Sequence, residues 1–302
     1  MRIPLRYLAV ALASLLSAAL AQGQNLFVTA GSSGGSSTGN IYEFTPNGGS
    51  STFASSGLYP YGLAFNSAGN LFEADRNSGN IYEFTPNGGS STFASHLSDP
   101  LPLAFNSAGN LFVGTAQITE FSPNGGSATF ASSFNTYALA FNSAGDLFAA
   151  GTDAAEPTGT ILEFTPNGGS STFASGFIAS PKALAFNSAG DLFVAYENGI
   201  YEFTPNGGSS TFASGLAPPE GLAFNSAGDL FEADAAGGHI YEFTPNGGSS
   251  TFASGLYGPY ALAFQGITLP VPEPSTWVMV GLGAFSLLAA RRRRILRRSL
   301  TP

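Results

Sequence analysis

The chain has 302 residues, enough for a sizeable core, and 43% of them are hydrophobic, so its composition is not that of a disordered polypeptide. It has no cysteine, which excludes disulfides, thiolate metal sites and cysteine nucleophiles. Charge is unevenly spread: between residues 25 and 269 only Arg76 and Lys182 stand against eighteen acids, a net −16, which repels phosphate backbones and argues against nucleic acid as a partner.

The first segment, "MRIPLRYLAVALASLLSAALAQG", places Arg2 and Arg6 before an apolar run from Tyr7 to Leu20 that ends in the small-residue site Ala19–Ala21. This is the pattern of a secretory signal peptide over residues 1–21, a helix removed by signal peptidase, with the mature chain beginning near Gln22.

Residues 22–269 are read as one repeating unit. The string "EFTPNGGSSTFAS" starts at Glu43, Glu83, Glu163, Glu202 and Glu242, and in altered form at Glu120. Aligned on Tyr42, Tyr82, Thr119, Leu162, Tyr201 and Tyr241, the units are 40, 37, 43, 39 and 40 residues apart, a spacing of propeller blades or helical arrays. Dense Gly and Pro and short β-rich runs exclude helices. Four strands fit each unit: "LAF", "NLFEA", "NIYEF" and "STFAS", joined by tight "NSAG" and "TPNGGS" turns. The first unit lacks its "LAF" strand and the last unit has nothing else, so the C-terminal "ALAF" (261–264) is expected to complete the blade begun by "NLFVTA" (25–30). The fold class expected is all-β, a closed six-bladed propeller without open sheet edges between the termini.

The stretch "PYGLAFNSAGNLFEADRNSGNIYEFTPNG" (60–88) resembles the NHL family of propellers and, more loosely, gluconolactonase-like and streptogramin-lyase-like propellers. By that family layout the "LAF" strands line the channel. One face carries the segments entering "LAF" and the loops between second and third strands; the constant turns lie on the other. Variation between units concentrates on the first face, where loops over a rigid scaffold make sites. The residues two before "LAF" are Tyr61, Leu101, Tyr137, Lys182, Glu220 and Tyr260. Tyr61, Tyr137, Lys182, Glu220 and Tyr260 are the candidate binding mouth. Lys182 and Glu220, in neighbouring units, are placed to pair, and the tyrosines to stack on a sugar or peptide or to fill the channel rim. Glu73 with Asp75, and Glu232 with Asp234, are calcium-ligand types, but sit in units too far apart in a six-fold ring to share an ion. The repeated glutamates read as outward-facing charges. The two histidines, His96 and His239, match neither the histidine–glutamate site of the lyase-like propellers nor the metal cluster of the gluconolactonase-like ones. No catalytic residue, metal ligand or cofactor is assigned.

The last segment, residues 270–302, reads "VPEPSTWVMVGLGAFSLLAARRRRILRR" over most of its length. Trp277 to Ala290 is an apolar run of fourteen residues, a short transmembrane helix, and Arg291, Arg292, Arg293 and Arg294 act as its membrane stop, holding that end cytoplasmic. Val271, Pro272, Glu273 and Pro274, followed by the apolar run and the arginine cluster, resemble the PEP-CTERM sorting signal of bacteria. The resemblance implies recognition by an exosortase-type transpeptidase, cleavage near Pro-Glu-Pro, and delivery from a transient membrane anchor to the cell surface or an exopolysaccharide matrix. With scarce histidine and near-identical units, the expectation is a non-enzymatic surface protein with a glycan or protein ligand at the mouth. The alternative is a secreted lyase or lactonase with a divalent metal in the channel.

Overall fold

The computed structural model describes residues 24–31, 39–55, 59–153 and 158–266. The expected signal helix, the Pro-Glu-Pro motif, the apolar run and the arginine cluster lie outside the described residues. Among the described residues there is no helix, and the chain forms 24 strands in six four-stranded antiparallel sheets.

Blade one holds β1 (Leu26–Ala30), β2 (Asn40–Phe44) and β3 (Ser50–Ala54). Blade two is β4 (Pro60–Phe65), β5 (Leu71–Asp75), β6 (Asn80–Phe84) and β7 (Ser90–Ala94). Blade three is β8 (Leu103–Phe105), β9 (Leu111–Gly114), β10 (Ile118–Phe121) and β11 (Ser127–Ala131). Blade four is β12 (Phe134–Phe141), β13 (Leu147–Asp153), β14 (Gly159–Phe164) and β15 (Ser170–Phe177). Blade five is β16 (Ala183–Phe186), β17 (Leu192–Tyr196), β18 (Gly199–Phe203) and β19 (Ser209–Ser214). Blade six is β20 (Pro219–Phe224), β21 (Leu230–Asp234), β22 (His239–Phe243) and β23 (Ser249–Ser254). The last strand, β24 (Pro259–Phe264), joins blade one, whose order is β24-β1-β2-β3, with Leu26 opposite Phe264 and Val28 opposite Leu262. The ring closes as the split unit predicts. The "LAF" strands neighbour one another all the way round, β4 with β8, β8 with β12, β12 with β16, β16 with β20, β20 with β24 and β24 with β4.

The repeated phenylalanines explain why the units are nearly identical. The second-strand Phe27, Phe72, Phe112, Phe148, Phe193 and Phe231 each meet the first-strand Phe of the next blade edge-on: Phe65, Phe105, Phe141, Phe186, Phe224 and Phe264. The same six rings pack edge-on against the fourth-strand Phe of their own blade, as in Phe27–Phe53 at 5.0 Å. Each fourth-strand ring then reaches the third-strand Phe of the next blade, as in Phe53–Phe84 at 5.9 Å and, across the closure, Phe252–Phe44 at 5.9 Å. Edge-to-face pairs add about 0.5–1.5 kcal/mol each beyond area burial, and every blade must present the same rings to both neighbours.

The constant turns are also built from the sequence. In "NSAG" the Asn66 Oδ1 accepts from the Ala68 and Asn70 amides, and Gly69 takes a φ of 81°. The repeated glutamates are not simply outward charges. In three blades they accept a side-chain hydrogen bond from the asparagine before the second strand: Asn25 to Glu43, Asn70 to Glu83 and Asn110 to Glu120, each at 2.6 Å.

Candidate functional site

The strand register brings the segments entering "LAF" together at one end of the channel. In ring order the residues two before the motif are Tyr260 (blade one), Tyr61 (two), Leu101 (three), Tyr137 (four), Lys182 (five) and Glu220 (six). Tyr61 and Tyr260 stack with centroids 5.1 Å apart and planes 26° from parallel. Tyr59, which the sequence reading missed, adds its hydroxyl at 2.7 Å from that of Tyr260. The Tyr61 hydroxyl donates to Glu220 Oε2 at 3.5 Å, spanning from blade two past blade one to blade six. All four of these side chains are half-buried.

A bulge in blade one positions the tyrosines. The pairing of β1 with β24 shifts between Val28 and Ala30, and the fully buried Thr29 turns its hydroxyl to both sides. It donates to the Tyr61 carbonyl at 2.9 Å and accepts from the Ala261 amide at 3.0 Å. Close backbone approach does the rest. A Cβ at Gly221 would meet the Tyr260 carbonyl, and one at Gly62 the Leu101 carbonyl, so glycine is required at these two positions, where alanine or proline stands in the other blades.

The expected pairing of Lys182 with Glu220 is not a contact ion pair. Lys182 Nζ lies over the Tyr137 ring, 5.2 Å from its centroid. Among the described residues the one ion pair joins Arg76 Nε and Asp99 Oδ1 at 3.5 Å. Burial lifts the Glu220 carboxyl above the ordinary carboxylate range, opposed by the Lys182 charge and the Tyr61 hydrogen bond. Burial also lifts the Tyr61 phenol well above its usual value, reinforced by the Glu220 carboxylate. The Tyr260 phenol is lifted by burial and then by its bond with Tyr59. Arg76 opposes both tyrosine shifts, which puts its charge at the same mouth. Arg76 was visible in the sequence as one of two central cations; Tyr59 had no such signal.

The two carboxylate pairs are separate. Glu73 and Glu232 are 0% exposed, and no hydrogen-bond partner reaches any of their carboxylate oxygens. They occupy the second-strand position filled by Val28, Val113, Ala149 and Val194 in the other blades. Burial, then the neighbouring Asp75, pushes Glu73 up to about 9; burial, then Asp234, pushes Glu232 up to about 8. Asp75 accepts from the Tyr59 and Ser78 amides, and Asp234 from the Gly237 amide. Among the described residues no group of three His, Asp or Glu side chains is placed to hold a metal ion. His96 sits on the loop after β7 with its Nδ1 2.9 Å from Ser95 Oγ, and the His239 ring packs 5.7 Å from Tyr241.

Comparison with known proteins bears on both parts of the chain. Residues 270–294 match the PEP-CTERM protein-sorting motif, so the chain carries that sorting signal. The motif implies export, transient anchoring at the C-terminus and processing by an exosortase-type enzyme. No curated protein matches the chain. The propeller is similar to solved structures at low identity. Virginiamycin B lyase from Staphylococcus aureus is 17% identical with a TM-score of 0.55, covering 68% of this chain and 77% of that one. A gluconolactonase from Xanthomonas campestris is 14% identical with a TM-score of 0.60, covering 67% and 78%. A calcium-binding regucalcin from Agrobacterium tumefaciens is 14% identical with a TM-score of 0.55, covering 66% and 74%.

These likenesses show the fold, and they overturn the expectation that the chain is not an enzyme. That expectation rested on scarce histidine and on the sameness of the units. Lyases and lactonases are built on this same scaffold, and the sameness here serves blade packing. The residues that differ gather at one mouth around a carboxyl of raised proton affinity, and perturbed carboxyls in a cleft are candidates for chemistry.

Proposed function

We propose that this is an exported bacterial enzyme, a propeller lyase that breaks a C–O bond by elimination, with Glu220 as base and Tyr61 as acid. The observation that carries the reading is the Tyr61–Glu220 hydrogen bond at the channel mouth, between a phenol and a carboxyl that are both lifted in proton affinity. A carboxylate of raised affinity is a stronger base than an ordinary one, and the neighbouring phenol, a weaker acid for its own shift, keeps a proton at neutral pH that a strongly basic leaving oxygen can take.

The step balances without water. Glu220 takes the proton from a carbon next to an electron-withdrawing group. The C–H electron pair becomes the new C=C bond, the C–O bond on the adjacent carbon breaks, and the departing oxygen takes the Tyr61 proton. Glu220 then returns its proton to Tyr61 along their hydrogen bond, and the site is reset. The Tyr61–Tyr260 stack offers a flat aromatic surface beside the reacting carbon, and Lys182 neutralises charge developing next to it. Each step is carried by the chain's own Glu220 and Tyr61. Sorting then places the propeller at the cell surface or in the extracellular matrix, after signal peptidase and the exosortase-type enzyme have acted at its two ends.

The test is Glu220→Gln in the full chain, read by the ultraviolet absorbance of the unsaturated product over a panel of lactones, β-alkoxy esters and O-linked uronides. Loss of about 10²-fold or more in turnover with an unchanged unfolding midpoint is expected, the size of a general-base contribution. Tyr61→Phe is expected to slow substrates with poor leaving groups and to spare those with a nitrophenolate leaving group. Wild-type turnover by the Glu220→Gln chain would sink the mechanism.

A further inference from the structure

Between residues 25 and 269 the chain carries eighteen acids and two cations, and both cations stand at one mouth. Arg76 follows β5, its amide donating to the Tyr59 carbonyl at 3.0 Å, and its charge acts on Tyr61 and Tyr260. Lys182 lies over Tyr137 on the far side, and its charge acts on Glu220. Around the rim the order is Arg76 and Tyr61, Tyr260, Glu220, Lys182, Tyr137: a cation at each end, a stacked aromatic surface, and a carboxyl between them. The Arg76–Asp99 pair is solvent-exposed on both sides, the kind of contact an anionic ligand displaces at little cost. On a body of net −16 the mouth is the one place where both cations stand, beside Glu220 and Asp99, so a negative group finds a positive partner there.

Elimination adds a second requirement. The carbon that gives up its proton must be acidified, and a carboxylate beside it does so once a cation neutralises it. A glycoside of a uronic acid joins the features in one molecule. It has a carboxylate next to a C–H, a glycosidic oxygen on the adjacent carbon as leaving group, and a sugar face that stacks on aromatic rings.

We propose that the mouth takes a short acidic glycan, an oligouronide, with one sugar on the Tyr61–Tyr260 stack, its carboxylate at Lys182, and the neighbouring sugar's carboxylate at Arg76. The substrate class rests on the lyase reading above. In the reaction the C–H proton passes to Glu220, the bond between the adjacent carbon and the glycosidic oxygen breaks, and that oxygen takes the Tyr61 proton. The products are an unsaturated uronide and a shortened chain. The acidic body favours short oligomers over long polyanions, whose flanking carboxylates it repels.

The test uses the full chain and three probes: tetragalacturonate, its methyl ester, and the neutral maltotetraose. Calorimetry reads affinity and ultraviolet absorbance reads the unsaturated product. Tetragalacturonate is expected to bind about tenfold or more tighter than either uncharged probe, the scale of one hydrogen-bonded charge. Lys182→Met and Arg76→Gln are each expected to lose about tenfold in affinity for tetragalacturonate and nothing for maltotetraose. Lys182→Arg, which keeps the charge, is expected to retain binding, so a misfolded methionine variant does not blur the outcome. Equal affinity for the acid and its methyl ester, or no binding of tetragalacturonate, overturns the substrate class. Binding that follows the charge without unsaturated product leaves the acidic-glycan site standing and sinks the lyase reading. Product from a lactone or ester with no uronide binding does the reverse.

Discussion

Replacing Glu73 and Glu232 by valine tests how this propeller tolerates two carboxyls inside an apolar interface. In the unfolded chain each glutamate ionises near 4.5; in the fold Glu73 keeps its proton to about 9 and Glu232 to about 8. Between those values the unfolded state binds fewer protons than the folded one, so stability falls as pH rises. The contribution is fully present below 4.5 and is lost through the upper values, at about 1.4 kcal/mol per pH unit for each carboxyl. From pH 4.5 to pH 7 that comes to roughly 3 kcal/mol per glutamate. Val28, Val113 and Val194 already fill the same position in three other blades, so valine fits the site, at about 1 kcal/mol for the volume lost. The double variant is therefore expected to be more stable than the wild type at pH 7 by several kcal/mol, and the difference to shrink toward pH 4.5. Denaturant titrations across pH 5–9 read both quantities, and subtracting the two curves removes the groups common to both chains. A variant less stable at pH 7, or one whose stability falls with pH as steeply as the wild type, would refute the reasoning.

The other expectations follow from closure, the mouth and the tail. Phe264→Ala removes the ring that meets Phe231 at 5.0 Å across the closing blade, and is expected to cost about 3–5 kcal/mol in equilibrium unfolding. An unchanged midpoint would mean the last strand does not bear the closure. Gly221→Ala forces the Tyr260 carbonyl away and is expected to cost about 1–3 kcal/mol while shifting the Tyr260 ring, read by the near-ultraviolet circular dichroism of the tyrosine cluster. Wild-type stability and spectrum would contradict the close approach. Changing Pro272, Glu273 and Pro274 to alanine is expected to leave an uncleaved, membrane-held precursor on a size-resolved blot. Processing at the wild-type rate would contradict the sorting role of the motif.

Much of the fold was legible in the sequence because the propeller is a sum of local units. Each blade has its own turn chemistry, and the split of one unit between the two ends announces the closure. Glycine at 62 and 221 and the phenylalanine pattern carry the packing rules in the same string. The candidate mouth was legible as the set of positions that vary, which named Tyr61, Tyr137, Lys182, Glu220 and Tyr260. Partnerships within it were not, because they depend on how far a side chain reaches across the ring. Lys182 turns to Tyr137 instead of meeting Glu220, and Glu220 receives the more distant Tyr61. The scarcity of histidine suggested a non-catalytic protein because residue counts say nothing of how a channel desolvates one glutamate.

By itself, the sequence determined the number of blades, their strand order, the constant turns and the sorting tail, since these rest on short-range periodicity and contiguous motifs. Only the tertiary structure decided that Glu73 and Glu232 lie sealed between blades without a hydrogen-bond partner. It alone brought Arg76 to the mouth where Lys182 was already expected, with Thr29 tying Tyr61 to the closing strand. The physical reason is the ring itself. Residues forty or two hundred positions apart become neighbours only when six twisted sheets close around a common axis, and burial then sets their proton affinities.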